Sequence, residues 1–333
     1  MSVQRLNYAT KAIPDLEQLA SMLEQNKKAE GSYFVTKLLI SLLKKSIKFI
    51  LPVGGRIWDS EPKQHELDML KLPYPVIAAE FEFEKTVVNE EDLNEYNRTH
   101  CPKTIALAVD LEASGMGQVI VNQGKLREEY KSGVYVHPIS YMHFEDLDKY
   151  MWIPMVTGII TARGTKIFKP KKDFSDFSKS KGHPVGKTGH LCQPFFWGEL
   201  GAEAYYKEAS KGQHHLNLMV TQDTARETTA IMQLCAALNC SNVKTNSLKP
   251  PTGMNFKRGR KKRTPFFEYK VLELVGDNGS SGSRKGHGTH ASPRLHFRRG
   301  HPRWYKDKEK PIWVTHCMVG NKKDGLVMKD YAV

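Results

Sequence analysis

Apolar positions recur at helical spacing near the start of the chain. Leu16, Leu19, Ala20 and Leu23 form one stripe, which predicts a helix over residues 14–29. Pro14 suits its first turn, Asp15 and Glu17 complement its positive end, and Gly31 closes it. A second helix is expected over residues 33–49, with Phe34, Val35, Leu38, Leu39, Leu42, Leu43 and Ile47 opposite Lys37, Ser41, Lys44, Lys45 and Lys48. A basic amphipathic helix can lie on a membrane, but one half-buried against a core with its lysines in water is the favoured reading.

From Pro75 the period changes to that of strands. Residues 76–83, 104–111 and 118–122 are short β-branched or alternating runs, the last two parted by Gly115 and Gly117. Residues 133–144 and 152–162 read as further strands, giving a mostly antiparallel sheet of about five. Residues 166–187 are rich in lysine, serine and glycine and read as a long loop. A helix follows over residues 225–238, capped by Thr221 or Asp223, with Ile231, Leu234, Cys235 and Leu238 on one face. A strand at 266–274 precedes the Gly/Ser-rich stretch 276–288, expected to be mobile. Two strand-like runs, 293–299 and 312–319, close an irregular hairpin. The class expected is α+β: N-terminal helices (1–60), a largely antiparallel sheet with a packed helix (61–243) and a basic C-terminal β-hairpin module (244–333).

Charge sharpens this division. The 333 residues carry a net charge of +14, and residues 244–333 hold 21 Lys+Arg against 7 Asp+Glu. The first 243 residues hold 29 of each, so all the excess lies in the last segment. A neutral body with a basic end is the distribution expected of a protein that meets a polyanion. With 14 Phe, 13 Tyr and 5 Trp, the chain has the means to build a core. No uncharged apolar run is long enough to span a bilayer, and the first residues lack the apolar stretch of a secretory signal. Five scattered cysteines without a CxxC pair read as reduced thiols in a cytoplasmic compartment.

Several motifs invite a chemical reading and fall short of it. Gly182 to Thr188 resembles a phosphate-binding loop but has three residues between its glycines where four are needed, and no strand feeds it. Glu80/Glu82 and Asp110/Glu112 have the i, i+2 spacing that puts each pair on one strand face. Adjacent strands would gather four carboxylates as in a Mg²⁺ nuclease, yet a solvated outer face yields the same alternation. His287, His290, His296, His301 and His316 lack the cysteines and spacing of a zinc site. No metal and no cofactor is expected.

The densest constellation is basic. Lys257, Arg258, Arg260, Lys261, Lys262 and Arg263 form one run, and Arg294, His296, Arg298, Arg299, His301 and Arg303 a second. On a strand Arg294, His296 and Arg298 share one side and Leu295 and Phe297 the other. Guanidiniums fork onto phosphates, and Trp304, Tyr305 and Trp313 offer π-faces to bases. The leading expectation is therefore nucleic-acid binding, to RNA or DNA. The alternative is a metal-independent endoribonuclease in which His296 and His301 exchange protons while arginines hold the phosphate. A third is a protein that binds an acidic protein surface.

The segment Ala237-Leu238-Asn239-Cys240-Ser241-Asn242-Val243, the Pro250-Pro251 pair, the first basic run, residues 265–272, and then SPRLHFRRGHPR, IWVTHCMVGN and KDYAV form a distinctive series. Together they resemble a family of uncharacterised bacteriophage and prophage proteins. The resemblance covers residues 237–333 and extends more weakly to residues 72–80. It implies a phage origin and the cytoplasm of an infected bacterium, makes the third reading that of a host-takeover protein binding an acidic host protein, and gives no residue a catalytic role.

Overall fold

The computed structural model describes residues 7–58, 62–83, 101–116, 128–144, 148–181, 186–190, 192–250, 252–274, 294–298, 301–314, 317–319 and 321–327. Two helices open the chain, α1 (Tyr8–Glu24) and α2 (Glu30–Lys45), followed by strand β1 (Ile47–Ile50) and the short helix α3 (Gln64–Asp68). Strands β2 (Val76–Glu82), β3 (Lys103–Asp110), β4 (Val134–Phe144), β5 (Lys149–Pro154) and β6 (Thr157–Thr161) come next. After β7 (Ile167–Phe168) come helix α4 (Lys172–Ser180) and strands β8 (Gly189–His190) and β9 (Cys192–Phe196). Helices α5 (Gly198–Ala209) and α6 (Gln213–Leu238) precede β10 (Val243–Leu248), α7 (Thr252–Arg260) and β11 (Tyr269–Leu274). The last strands are β12 (Arg294–Arg298), β13 (His301–Arg303), β14 (Ile312–Val314), β15 (Cys317–Val319) and β16 (Asn321–Val327).

The class is α+β. A nine-stranded sheet runs β10-β11-β1-β2-β3-β4-β6-β9, with β5 paired to β4. It is antiparallel except at its centre, where β1 lies parallel to both β11 and β2. Because β1 precedes residue 60, β10 begins at Val243 and β11 lies beyond it, all three expected segments contribute strands to this one sheet.

Both faces of the sheet are covered. Ile105, Leu107 and Val109 of β3 pack with Ile13, Leu16, Leu39 and Leu43 of α1 and α2. On the other face Ile77, Ala106, Ala108 and Val136 pack with Ile231, Leu234 and Leu67 of α6 and α3. Small Ala106 and Ala108 let the 26-residue α6 lie close, and burial on both faces explains why β3 reads as an almost continuous apolar run. Among the described residues, no helix is long and apolar enough to cross a membrane.

Two boundaries differ from the sequence expectation for one electrostatic reason. Helix α1 begins six residues before Pro14 because the buried Glu80 carboxylate accepts the Tyr8 and Ala9 amides, both at 2.8 Å. Helix α2 stops at Lys45 instead of reaching Phe49. There the buried Lys48 ammonium donates to the carbonyls of Leu43 and Ser46, each at 2.7 Å, and Ile47 and Phe49 enter the sheet as β1. Residues 166–187, expected as a loop, contain α4, and the helix expected from Ala225 starts at Gln213.

Candidate functional site

The first basic run occupies the end of α7 and the turn after it. Lys262 takes a left-handed backbone (φ 51°) and reverses the chain. Arg258 closes that turn, with its Nε donating to the Thr264 carbonyl at 2.6 Å and its guanidinium over the Phe266 ring at 4.4 Å. Lys257, Arg260, Lys261, Lys262 and Arg263 are exposed, and among the described residues none is paired with a carboxylate. Phe256, beside them on α7, is 70% exposed. Beyond the turn, Pro265 accepts from the Thr10 hydroxyl at 2.7 Å and Phe267 donates its amide to Asn7. The basic run thus leads directly onto the first turn of α1.

The second basic group is divided between two ladders. In β12, His296 is in register with Val319 and Val327, and Arg298 with Cys317. In β13, His301 is in register with Val314 and Arg303 with Ile312. These ladders are successive pieces of the irregular hairpin expected from the sequence, parted by residues 299–300 and 315–316. Arg299, His316 and the stretch 276–288 lie outside the described residues, as do the side chains of Arg294, His296 and Arg298. His301 is near enough to His65 of α3 to add to the lowering of that imidazole's pKa, which burial and then Lys63 chiefly cause.

Trp313, expected to stack on bases, packs on the body instead. Its ring lies 5.3 Å from that of Trp58, and its backbone amide and carbonyl bond the Asn242 side chain at 2.7 and 2.9 Å. The β13–β14 pair is thereby docked at the end of α6. Trp304 and Tyr305 remain exposed, at 43% and 38%, and the Arg303 guanidinium lies 5.0 Å from the Tyr305 ring.

The two carboxylate pairs do not meet. Antiparallel pairing sets Val76 opposite Val109 and Glu82 opposite Lys103, so Glu80/Glu82 and Asp110 fall at opposite ends of β2 and β3. Nor is Glu80 on a solvated face. Burial raises its pKa to about 7, against bonds from Tyr269, Tyr8 and Ala9 and the charge of Lys48. Asp110 is held by Arg163 at 2.5 Å, and Glu112 by the same guanidinium at 2.8 Å. Among the described residues, no group of three or more His, Cys, Asp or Glu is placed to hold a metal ion. His137, buried with its Nδ1 against the Tyr135 hydroxyl at 2.6 Å, is pushed down to about 3 by burial and stays neutral.

No family model, curated protein or solved structure matches the chain.

One cavity in the body escaped the sequence reading. Lys103, Tyr141 and Trp152 stand in register on β3, β4 and β5, so their side chains form a row on one face of the sheet. Tyr150, two residues before Trp152, extends the row and stacks on Tyr141 with ring centroids 5.1 Å apart. Facing them, Tyr8, Lys11 and Asp15 recur at i, i+3 and i+7 on one side of α1. Between the two walls lies a space of about 280 Å³. Locating α1 at Pro14 hid this site, because Tyr8 and Lys11 then fell outside any helix. The alternating Tyr141/His143 and Tyr150/Trp152 pairs were the available signal, but the sequence did not fix their register. A second groove, about 360 Å³, lies at the carboxyl ends of β1 and β2 and is lined mainly by apolar side chains such as Leu51, Val53, Phe81 and Leu272.

Proposed function

We propose that this is a phage-encoded protein that binds nucleic acid in the cytoplasm of the infected bacterial host. The observation that carries the reading is the exposed run of five cations, Lys257, Arg260, Lys261, Lys262 and Arg263, without carboxylate partners among the described residues and with Phe256 beside it. Elsewhere on the surface some cations are paired, as Lys44 is with Glu17 at 2.8 Å; among the described residues none of these five is. Such a cationic stretch with a neighbouring aromatic suits a phosphate backbone and a stacked base.

The test is a gel shift on labelled single- and double-stranded DNA and RNA across a salt series, with EDTA present. Affinity should fall with salt at a log–log slope of about −0.7 to −0.9 per phosphate contact. Reversing the five cations to glutamate, with Arg258 kept to hold the turn, should flatten that slope and weaken binding by about tenfold or more. A wild-type protein that binds nothing at low salt, or a reversed variant that binds as well, would sink the reading. RNA left intact in the same lanes separates a binder from the metal-independent ribonuclease.

A further inference from the structure

We propose that the cavity between α1 and the β3–β4–β5 row binds one nucleotide unit, a nucleobase with its phosphate. The unit is either a free nucleotide or one residue of a single strand. The site is built from the body, which carries no excess charge, so it does not depend on the basic run and would stand without it.

The chemistry of the walls selects the ligand. Lys103 lies 5.5 and 5.8 Å from the ring centroids of Tyr8 and Tyr141, and Lys11 lies 5.8 Å from that of Tyr8. Among the described residues neither ammonium is ion-paired with a carboxylate, although Asp15 and Glu82 are close by. Both acids are engaged elsewhere: Asp15 accepts the Trp152 amide at 2.9 Å, and Glu82 accepts the Tyr8 hydroxyl at 2.8 Å. Two lysines thus converge on the cavity, their charge opposed by ring faces and, without a direct ion pair, by the fields of Glu80 and Glu82, and ring faces compensate a cation weakly. Burial, and then the charge of Lys103, lowers the Lys11 pKa, so an anion placed between the two would relieve their repulsion. Phosphate is the anion that two ammonium groups suit.

The other requirement is a flat apolar partner. Tyr141 and Tyr150, both half-buried, present adjoining π-faces over the buried Trp152, with the His143 ring 4.7 Å from Tyr150 at the end of the row. Every nucleobase has a face that stacks on such a surface. The volume, about 280 Å³, lies just below the roughly 300 Å³ at which small-molecule pockets begin. One nucleotide is therefore the appropriate load, and a duplex is excluded. The Thr10–Pro265 bond sets the exit of the basic run beside the α1 turn that carries Lys11, which provides a route by which a bound strand reaches the cavity.

Calorimetric titration of the full-length protein tests this with the four ribonucleoside monophosphates, the matching nucleosides, inorganic phosphate, and ten-residue single strands of RNA and DNA. A monophosphate should bind at least about tenfold more tightly than its nucleoside or phosphate alone, since both halves are recognised. Lys11→Gln and Lys103→Gln should each weaken it about fivefold and leave the nucleoside unaffected, while Tyr150→Ala should weaken both. Lys11 is exposed and Tyr150 half-buried, and unchanged urea midpoints would show that these variants fold. If free monophosphates do not saturate but the same variants weaken the single strands, the ligand is a strand residue. If no monophosphate saturates and the variants bind single strands as wild type does, the proposal is overturned. It is equally overturned if a monophosphate binds and no variant changes its affinity. Failure of the nucleic-acid reading would look different: monophosphate binding would persist while strands of every kind failed to bind.

Discussion

At the scale of single residues, the molecule depends on carboxylates that cap helices from remote points in the chain. Glu80 is fully buried and accepts the Tyr8 and Ala9 amides, together with the Tyr269 hydroxyl at 2.5 Å. A β-strand residue thus supplies the N-terminal cap of a helix more than sixty residues earlier and ties both to β11. Glu199, an exposed residue in the first turn of α5, caps α2 in the same way, accepting the Gly31 and Ser32 amides at 2.8 Å. Replacing Glu80 by Ala would leave two amides and a phenol unsatisfied in the core. Each such group costs about 1–3 kcal/mol, so Glu80→Ala should destabilise the protein by about 3 kcal/mol or more in urea unfolding. A loss below about 1 kcal/mol would show that Glu80 is not the keystone its contacts indicate.

At the scale of elements, α6 carries acids at i and i+4 toward the sheet. Glu227 is buried and bonded by the Thr104 hydroxyl at 2.7 Å, while Asp223, half-buried, sits one turn earlier. Burial, and then the charges of Glu227 and Glu208, raises the Asp223 pKa from 3.8 to about 7. Between those values the folded chain holds a proton that the unfolded chain has released, so stability falls as pH rises from about 4 through about 7. Asn at this position does not titrate. The Asp223→Asn variant should therefore gain about 4 kcal/mol on wild type between pH 4 and pH 8, as read from urea unfolding at both values. Acids that are not coupled to Asp223 titrate alike in both proteins and cancel in the comparison. A difference that is constant with pH would show Asp223 to be ionised throughout.

At the scale of the whole molecule, charge and structure are partitioned differently. All the excess positive charge lies after residue 243, yet β11 is the parallel neighbour of β1 near the middle of the sheet. Its Tyr269 reaches Glu80, and residues 265–267 bond the start of α1. The basic end is therefore woven into the core that it adjoins. A chain ending at residue 242 would expose the edge of β1 and leave Glu80 short of a donor. That chain should lose cooperative urea unfolding, whereas the full chain should keep it. A sharp transition at the wild-type midpoint would show that the last 91 residues are dispensable to the fold.

The sequence by itself determined what depends on local pattern. The apolar stripes of α1, α2 and α6, the apolar or alternating runs of β2, β3 and β4, the α+β class and the uneven placement of charge are all set by neighbouring side chains competing for water or core. Tertiary structure decided what depends on partners remote in the chain. Pro14 marks a helix start only until Glu80 offers its carboxylate to Tyr8 and Ala9. Ile47 and Phe49 continue a helical stripe only until β2 and β11 provide a ladder on either side. Trp313 is a free aromatic in the sequence and a docking residue once Trp58 and Asn242 surround it. The cavity follows the same rule. Lys11, Lys103, Tyr141 and Trp152 carry no common spacing, and only strand register and the seating of α1 bring them together, because hydrogen-bonded ladders and helix packing act across any length of chain.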